Sequence, residues 1–261
     1  LLIGFIFIKG EFANGNSFLT AAHRLLLIES DRESTDLRFH NLYPDHIFNG
    51  GIFLYAVKRG AFTATATKIL GFLIPFWIIF QGTLALGGFY LQTDVKPPRI
   101  MLFGVLPAWL LIILLFIFAR RDLIERLPLK ILTALHTIRI PVELVLLWLF
   151  QAGQVPQLMT FEGRNFDIIA GITAPVIAWL AFRGGRINRP LLIGWNIMAF
   201  ALLLNIVINA ILSAETPFQQ FAFDQPNRGI LYFPFIWLPS VVVPIVFFSH
   251  LASLWQLLFK K

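Results

Sequence analysis

From Lys68 to the C-terminus the chain repeats one pattern: a long apolar run, a short polar connection, then another run. The runs fall at about residues 69–91, 100–119, 131–150, 168–182, 190–212 and 229–255. At 1.5 Å per residue, roughly twenty helical residues cross a hydrocarbon core of about 30 Å. Most of the runs are long enough, and the fourth is short unless it begins near Asn165. Hydrophobic residues make up 57% of the chain and charged residues 13%. A soluble domain carries about twice that charge fraction, so these runs cannot all be covered with a water-facing surface. The reading is an all-α integral membrane bundle of about six transmembrane helices. Each run contains or begins with proline (Pro75, Pro107, Pro141, Pro175, Pro190, and Pro234, Pro239 and Pro244 in the last). Interior prolines free carbonyls that neighbouring helices must satisfy, so kinked helices are expected.

The basic residues set an orientation. Lys58, Arg59, Lys68, Arg120, Arg121, Arg126, Lys130, Arg183, Arg186, Arg189, Lys260 and Lys261 fall in alternate connections, whereas the opposite connections hold only Lys96, Arg99, Arg164 and Arg228. Arginine and lysine are retained on the cytoplasmic side, so both ends of the helical core are expected there, in the cell's inner (plasma) membrane. The formal charge of +7 is then explained by the bilayer and its anionic headgroups, and no nucleic-acid partner is expected. A protein partner or a homo-oligomer is left open. No cofactor is implied.

Residues 1–67 read as a peripheral or poorly ordered N-terminal extension, and 68–261 as the transmembrane domain. The extension is rich in charge and holds three of the five histidines; residues 17–29 could form a short amphipathic helix. Leu1–Ile8 is apolar but too short to span, and without a basic start or a cleavage signal it does not read as a signal peptide. The chain has no cysteine, so thiolate chemistry is excluded, and its histidines form no metal-binding motif.

The strongest candidate site is on the third run. At about 100° per residue, His136, Arg139 and Glu143 fall within about 60° of one another. Charges at membrane depth are expensive, so this face should turn inward and be paired. One reading is an i,i+4 Arg139–Glu143 salt bridge that holds helices together; the other is a proton relay or an anionic-substrate site. His250 on the sixth run has a similar expected depth to His136, and two such histidines could ligate a haem, although interhelical hydrogen bonding is the commoner use. Asn196, Asn205 and Asn209 on the fifth run fit the same plain role. The connection 151–167 contributes Glu162 and Asp167, and the fifth connection contributes Asp224. Opposed carboxylates there could do acid–base work, although Asp167 could simply cap the fourth helix.

At Arg139–Pro175 (RIPVEL…MTFEG.N.DI..GITAP) and at Phe218–Arg228 (FQQFAFDQPNR) the chain resembles uncharacterised bacterial inner-membrane proteins. The resemblance runs from about Thr63 to Trp255 and implies a location, with no catalytic activity attached. Three functions follow for testing: a membrane-embedded binding or transport protein using His136, Arg139 and Glu143; a scaffold without a ligand; and an outer-face enzyme using Glu162 and Asp167.

Overall fold

The apolar runs do become helices. The computed structural model describes Tyr55 and residues 64–93, 95–119 and 123–260. Of the expected N-terminal extension, only Tyr55 and the start of the first helix fall among them. The possible helix at 17–29 lies outside the described residues.

Six main helices follow in order: α1 (Ala64–Leu86), α2 (Ile100–Phe118), α3 (Leu129–Gln151), α4 (Asp167–Leu180), α5 (Arg189–Leu212) and α6 (Leu238–Phe259). No strand occurs among the described residues. By length and composition α2, α3, α5 and α6 can each cross a membrane; the apolar part of α1 (Gly71–Leu86) and the 14-residue α4 are shorter.

α6 lies at the centre, with 61% of its apolar window buried, against 17% for α2. It packs on α2, the first half of α3, and α5. The main core joins Leu132, Leu135, Leu146 and Leu149 of α3 to Leu203 and Ile206 of α5 and to Val246, Phe248 and Ala252 of α6. α4 packs on α3 and α5 through small residues, burying Ala170, Gly171, Ala174 and Ala178. Small side chains let helix backbones approach closely in a membrane. At Gly171 a Cβ would lie 3.0 Å from the Ile140 backbone nitrogen and 3.2 Å from Arg139 Cβ. The outer face of α2 exposes Leu102, Leu106, Leu110, Ile113, Ile117 and Phe118, a surface suited to lipid.

The prolines of α2, α3 and α6 follow irregular turns. π turns at Ile100–Val105 and Leu238–Val242 precede Pro107 and Pro244, and a 3-10 turn at His136–Ile138 precedes Pro141. Proline has no N–H for the carbonyl four residues back, which leaves Phe103 and Ser240 short of a donor. α1 supplies both donors: Gln81 Nε2 donates to the Phe103 carbonyl at 2.8 Å, and Trp77 Nε1 donates to the Ser240 carbonyl at 2.9 Å. Trp77 and Gln81 are one turn apart on one face, and the Tyr90 hydroxyl fixes Gln81 by donating to its Oε1 at 2.6 Å.

Besides α1, which runs Ala64–Leu86 where about 69–91 was expected, two elements differ from expectation. The sixth helix begins at Leu238; residues 229–237 form a 3-10 turn (Gly229–Leu231) and an irregular passage through Pro234. Proline and its restricted predecessor break the apolar run before α6 begins. The other difference, the path into α4, builds the candidate site.

Candidate functional site

α3 ends at Gln151, and Gly153 turns the chain with a left-handed φ of 72°. The chain then passes back into the bundle. Val155 and Thr160 are fully buried, and the Asn165 amide reaches Glu143 Oε1 at 2.5 Å. Glu143 lies eight residues before the end of α3, about 12 Å along the helix axis. The connection expected to lie over the outer face is therefore re-entrant, and α4 begins inside the bundle. That accounts for its 14 residues. Irregular backbone at membrane depth is tolerated when it is buried in protein, as here.

Local sequence shapes this path. Gly163 N and Asn165 N both donate to the Thr160 carbonyl, and Asn165 Nδ2 also donates to the Met159 carbonyl. A Cβ on Gly163 would lie 2.2 Å from the Gln157 carbonyl oxygen, so only glycine fits. The Asn165 Oδ1 then accepts from Asp167 N at 3.0 Å, starting α4. Asp167 stands in the first turn of α4, where its charge suits the helix dipole, and it does not cap the helix as the sequence had allowed.

The three residues expected on one face of α3 do share the interior. His136, Arg139 and Glu143 are between 0% and 2% exposed. Their partners differ from the sequence reading. Arg139 Nη1 donates to Asp167 Oδ1 at 2.7 Å and to the Ala199 carbonyl at 2.9 Å. Arg139 Nη2 meets His250 Nε2 at 2.6 Å. Guanidinium can only donate, so Nε2 of His250 carries the lone pair and Nδ1 carries the hydrogen. That hydrogen is donated to Asn196 Oδ1 at 2.9 Å, and Asn196 Nδ2 donates to the Leu192 carbonyl. One arginine thus ties α3 to α4, α5 and α6. The i,i+4 alternative fails: the ion pair of Arg139 is with Asp167, and among the described residues no cation lies within ion-pair distance of Glu143.

The imidazoles of His136 and His250 stack with centroids 3.9 Å apart and planes 20° apart, and Trp195 meets His136 edge-on. Rings stacked this closely do not stand on opposite faces of a porphyrin, so haem ligation between them does not fit. Among the described residues no three His, Asp or Glu side chains gather as a metal site. Several polar atoms in the cluster have no hydrogen-bond partner among the described residues: both ring nitrogens of His136, Nε of Arg139 and Oε2 of Glu143. Buried polar groups are nearly always paired, so these four atoms mark this face of α3 as the candidate site.

The secondary candidates separate. Asp167 and His250 join the α3 cluster, whereas Glu162 and Asp224 are exposed. The three loop carboxylates therefore form no common group. Sequence reasoning missed Asn165 and assigned Asn196 only a general interhelical role. The signal for Asn165 was present in the glycine-bearing TFEGRN segment. Asn205 donates to the Arg164 carbonyl and Asn209 donates to Asn205 Oδ1, so this pair holds the re-entrant segment without contacting the charged groups themselves. The second loop stretch closes the same end: Gln225 Nε2 donates to the Phe150 and Val155 carbonyls, and Gly229 N to the Gln154 carbonyl.

Residues 97–258 match the family described as Domain of unknown function (DUF8737). The chain belongs to this family. The family region takes in α2 through all but the last residue of α6, and with them every residue of the polar cluster; α1 and Tyr90 precede it. No curated protein and no solved structure matches the chain.

Proposed function

We propose that this family member is a multi-pass bacterial inner-membrane protein, its core termini cytoplasmic, that binds and moves a small polar solute or ion through the α3-centred cluster. One observation carries the reading. α4 is a short helix that begins inside the bundle, with its first turn against buried charges that retain unpartnered polar atoms. Transporters commonly form midplane sites from discontinuous helices and the polar groups at their ends. The alternation of basic connections supports the orientation.

A scaffold role is the second reading. Its support is that Arg139 clasps four helices and that the cluster is closed to solvent. The two readings separate on water access. The chain has no cysteine, so His136→Cys and Thr133→Cys each introduce a single thiol at a buried α3 position. In folded protein in liposomes, a small membrane-impermeant methanethiosulfonate should modify these thiols slowly but completely. Thiols that stay inert until the protein is denatured would overturn the binding reading and favour the scaffold.

A further inference from the structure

The geometry points to the proton as the species this site takes up, with the Glu143 carboxyl as its seat. The inference rests on the binding reading above and supplies its ligand.

A charge inventory of the cluster leads to it. The charged and titratable groups of the cluster around Glu143 are Arg139 and His136 on its own helix, Asp167 at the start of α4, and His250 on α6; α5 adds Asn196, Trp195 and the Ala199 carbonyl as partners of these groups, and the re-entrant segment adds Asn165, which contacts Glu143 itself. Arg139 and Asp167 cancel as an ion pair. His250 accepts from Arg139 through Nε2, so its ring carries no charge, and His136, stacked on that ring with both nitrogens unpartnered among the described residues at 0% exposure, has no acceptor to hold a second proton and is neutral as well. The Glu143 carboxylate is left over. Among the described residues its Oε1 receives only the neutral Asn165 amide, no cation lies within ion-pair distance, and Oε2 has no partner at 1% residue exposure.

One bound proton removes that surplus charge. An O–H bond forms on Oε2, the carboxylate becomes a carboxylic acid, and release to water reverses the step with nothing else bound or lost. A proton takes up no volume of its own, so the cluster needs only water contact, and no open pocket, to exchange it. A metal cation would need several oxygen ligands, and the neighbouring side chain presents its amide N–H to Glu143 instead. An anion would meet two carboxylates.

The test is infrared spectroscopy of the protein in lipid nanodiscs, in sodium-free potassium buffer, across pH. The expected result is one protonated-carboxyl stretch per chain that vanishes at high pH, shifts in heavy water, is lost in Glu143→Gln, is kept in Glu162→Gln, and moves in Glu143→Asp. If Glu143→Gln does not fold, carbon-13 labelling of glutamate in the unmutated protein should shift the same band. Absence of the band at every pH at which the protein stays folded would overturn the inference, as would its survival in Glu143→Gln or its removal by added sodium at fixed pH. Thiol access at α3 without this band defeats the proton assignment alone. Inert thiols defeat the binding reading beneath it.

Discussion

Arg139 decides most of what the site can be. Its guanidinium has three partners on three other helices, and all three depend on a side chain that is 2% exposed. Removing one member of a buried ion pair strands the other, at about 3–5 kcal/mol. Arg139→Met should therefore lower unfolding stability in mild detergent by about that much, and Arg139→Met combined with Asp167→Asn should recover part of the loss. If the double variant is as unstable as the sum of the singles, the two residues are not coupled. Gly171 makes a second residue-scale prediction. The nearest obstacles to a side chain there are Cγ1 and the backbone nitrogen of Ile140, both at 3.0 Å, and the backbone cannot step aside as a flexible side chain would. Gly171→Ala should cost about 1–3 kcal/mol, and Gly171→Val more. The sequence placed His136, Arg139 and Glu143 together because helical periodicity fixes a shared face. It paired Arg139 with Glu143 because spacing reports only partners on the same helix. Asp167 is 28 residues away, and nothing local identifies it.

Among the elements, α1 is the one whose role is set by its neighbours' prolines. It is widely exposed, yet Trp77 and Gln81 meet the carbonyls left short of donors in α2 and α6. A buried acceptor left without its donor costs about 1–3 kcal/mol. Gln81→Leu should destabilise the fold by that order. The loss should shrink in a Pro107→Ala background, where the restored N–H can serve Phe103. An unchanged loss in that background, measured by the same unfolding assay, would show that Gln81 acts otherwise. The re-entrant segment gives a parallel case. Gly163→Ala should displace Asn165 from Glu143, read as a Glu143 environment change in the infrared spectrum. Helix limits were legible to within a few residues for α2, α3, α4 and α5, where apolar character marks both ends. The limits of α1, the path into α4 and the start of α6 were not. Apolar composition says that a segment is buried, but not whether it crosses or turns back, and the loop from Val155 to Asn165 buries Val155, Met159, Thr160 and Asn165 without crossing.

At the scale of the whole molecule the account depends on lipid as solvent. α2 turns most of its surface outward, and that surface is leucine, isoleucine and phenylalanine. In water such a face would drive aggregation. Inside this apolar shell the polar cluster sits next to the middle of α3, and the family region encloses it entirely. Fold class was the most legible property, because run length and charge content answer to bilayer thickness; the site's partners were the least, because they are set by tertiary approach. The central claim is best tested by topology. Because the chain has no cysteine, Gln157→Cys before α4 and Ile187→Cys after it each carry one exposed thiol. In sealed cells an impermeant maleimide should label Gln157→Cys directly and Ile187→Cys only after permeabilisation. Equal labelling of both in sealed cells, or recovery of the protein from the aqueous fraction without detergent, would contradict the account.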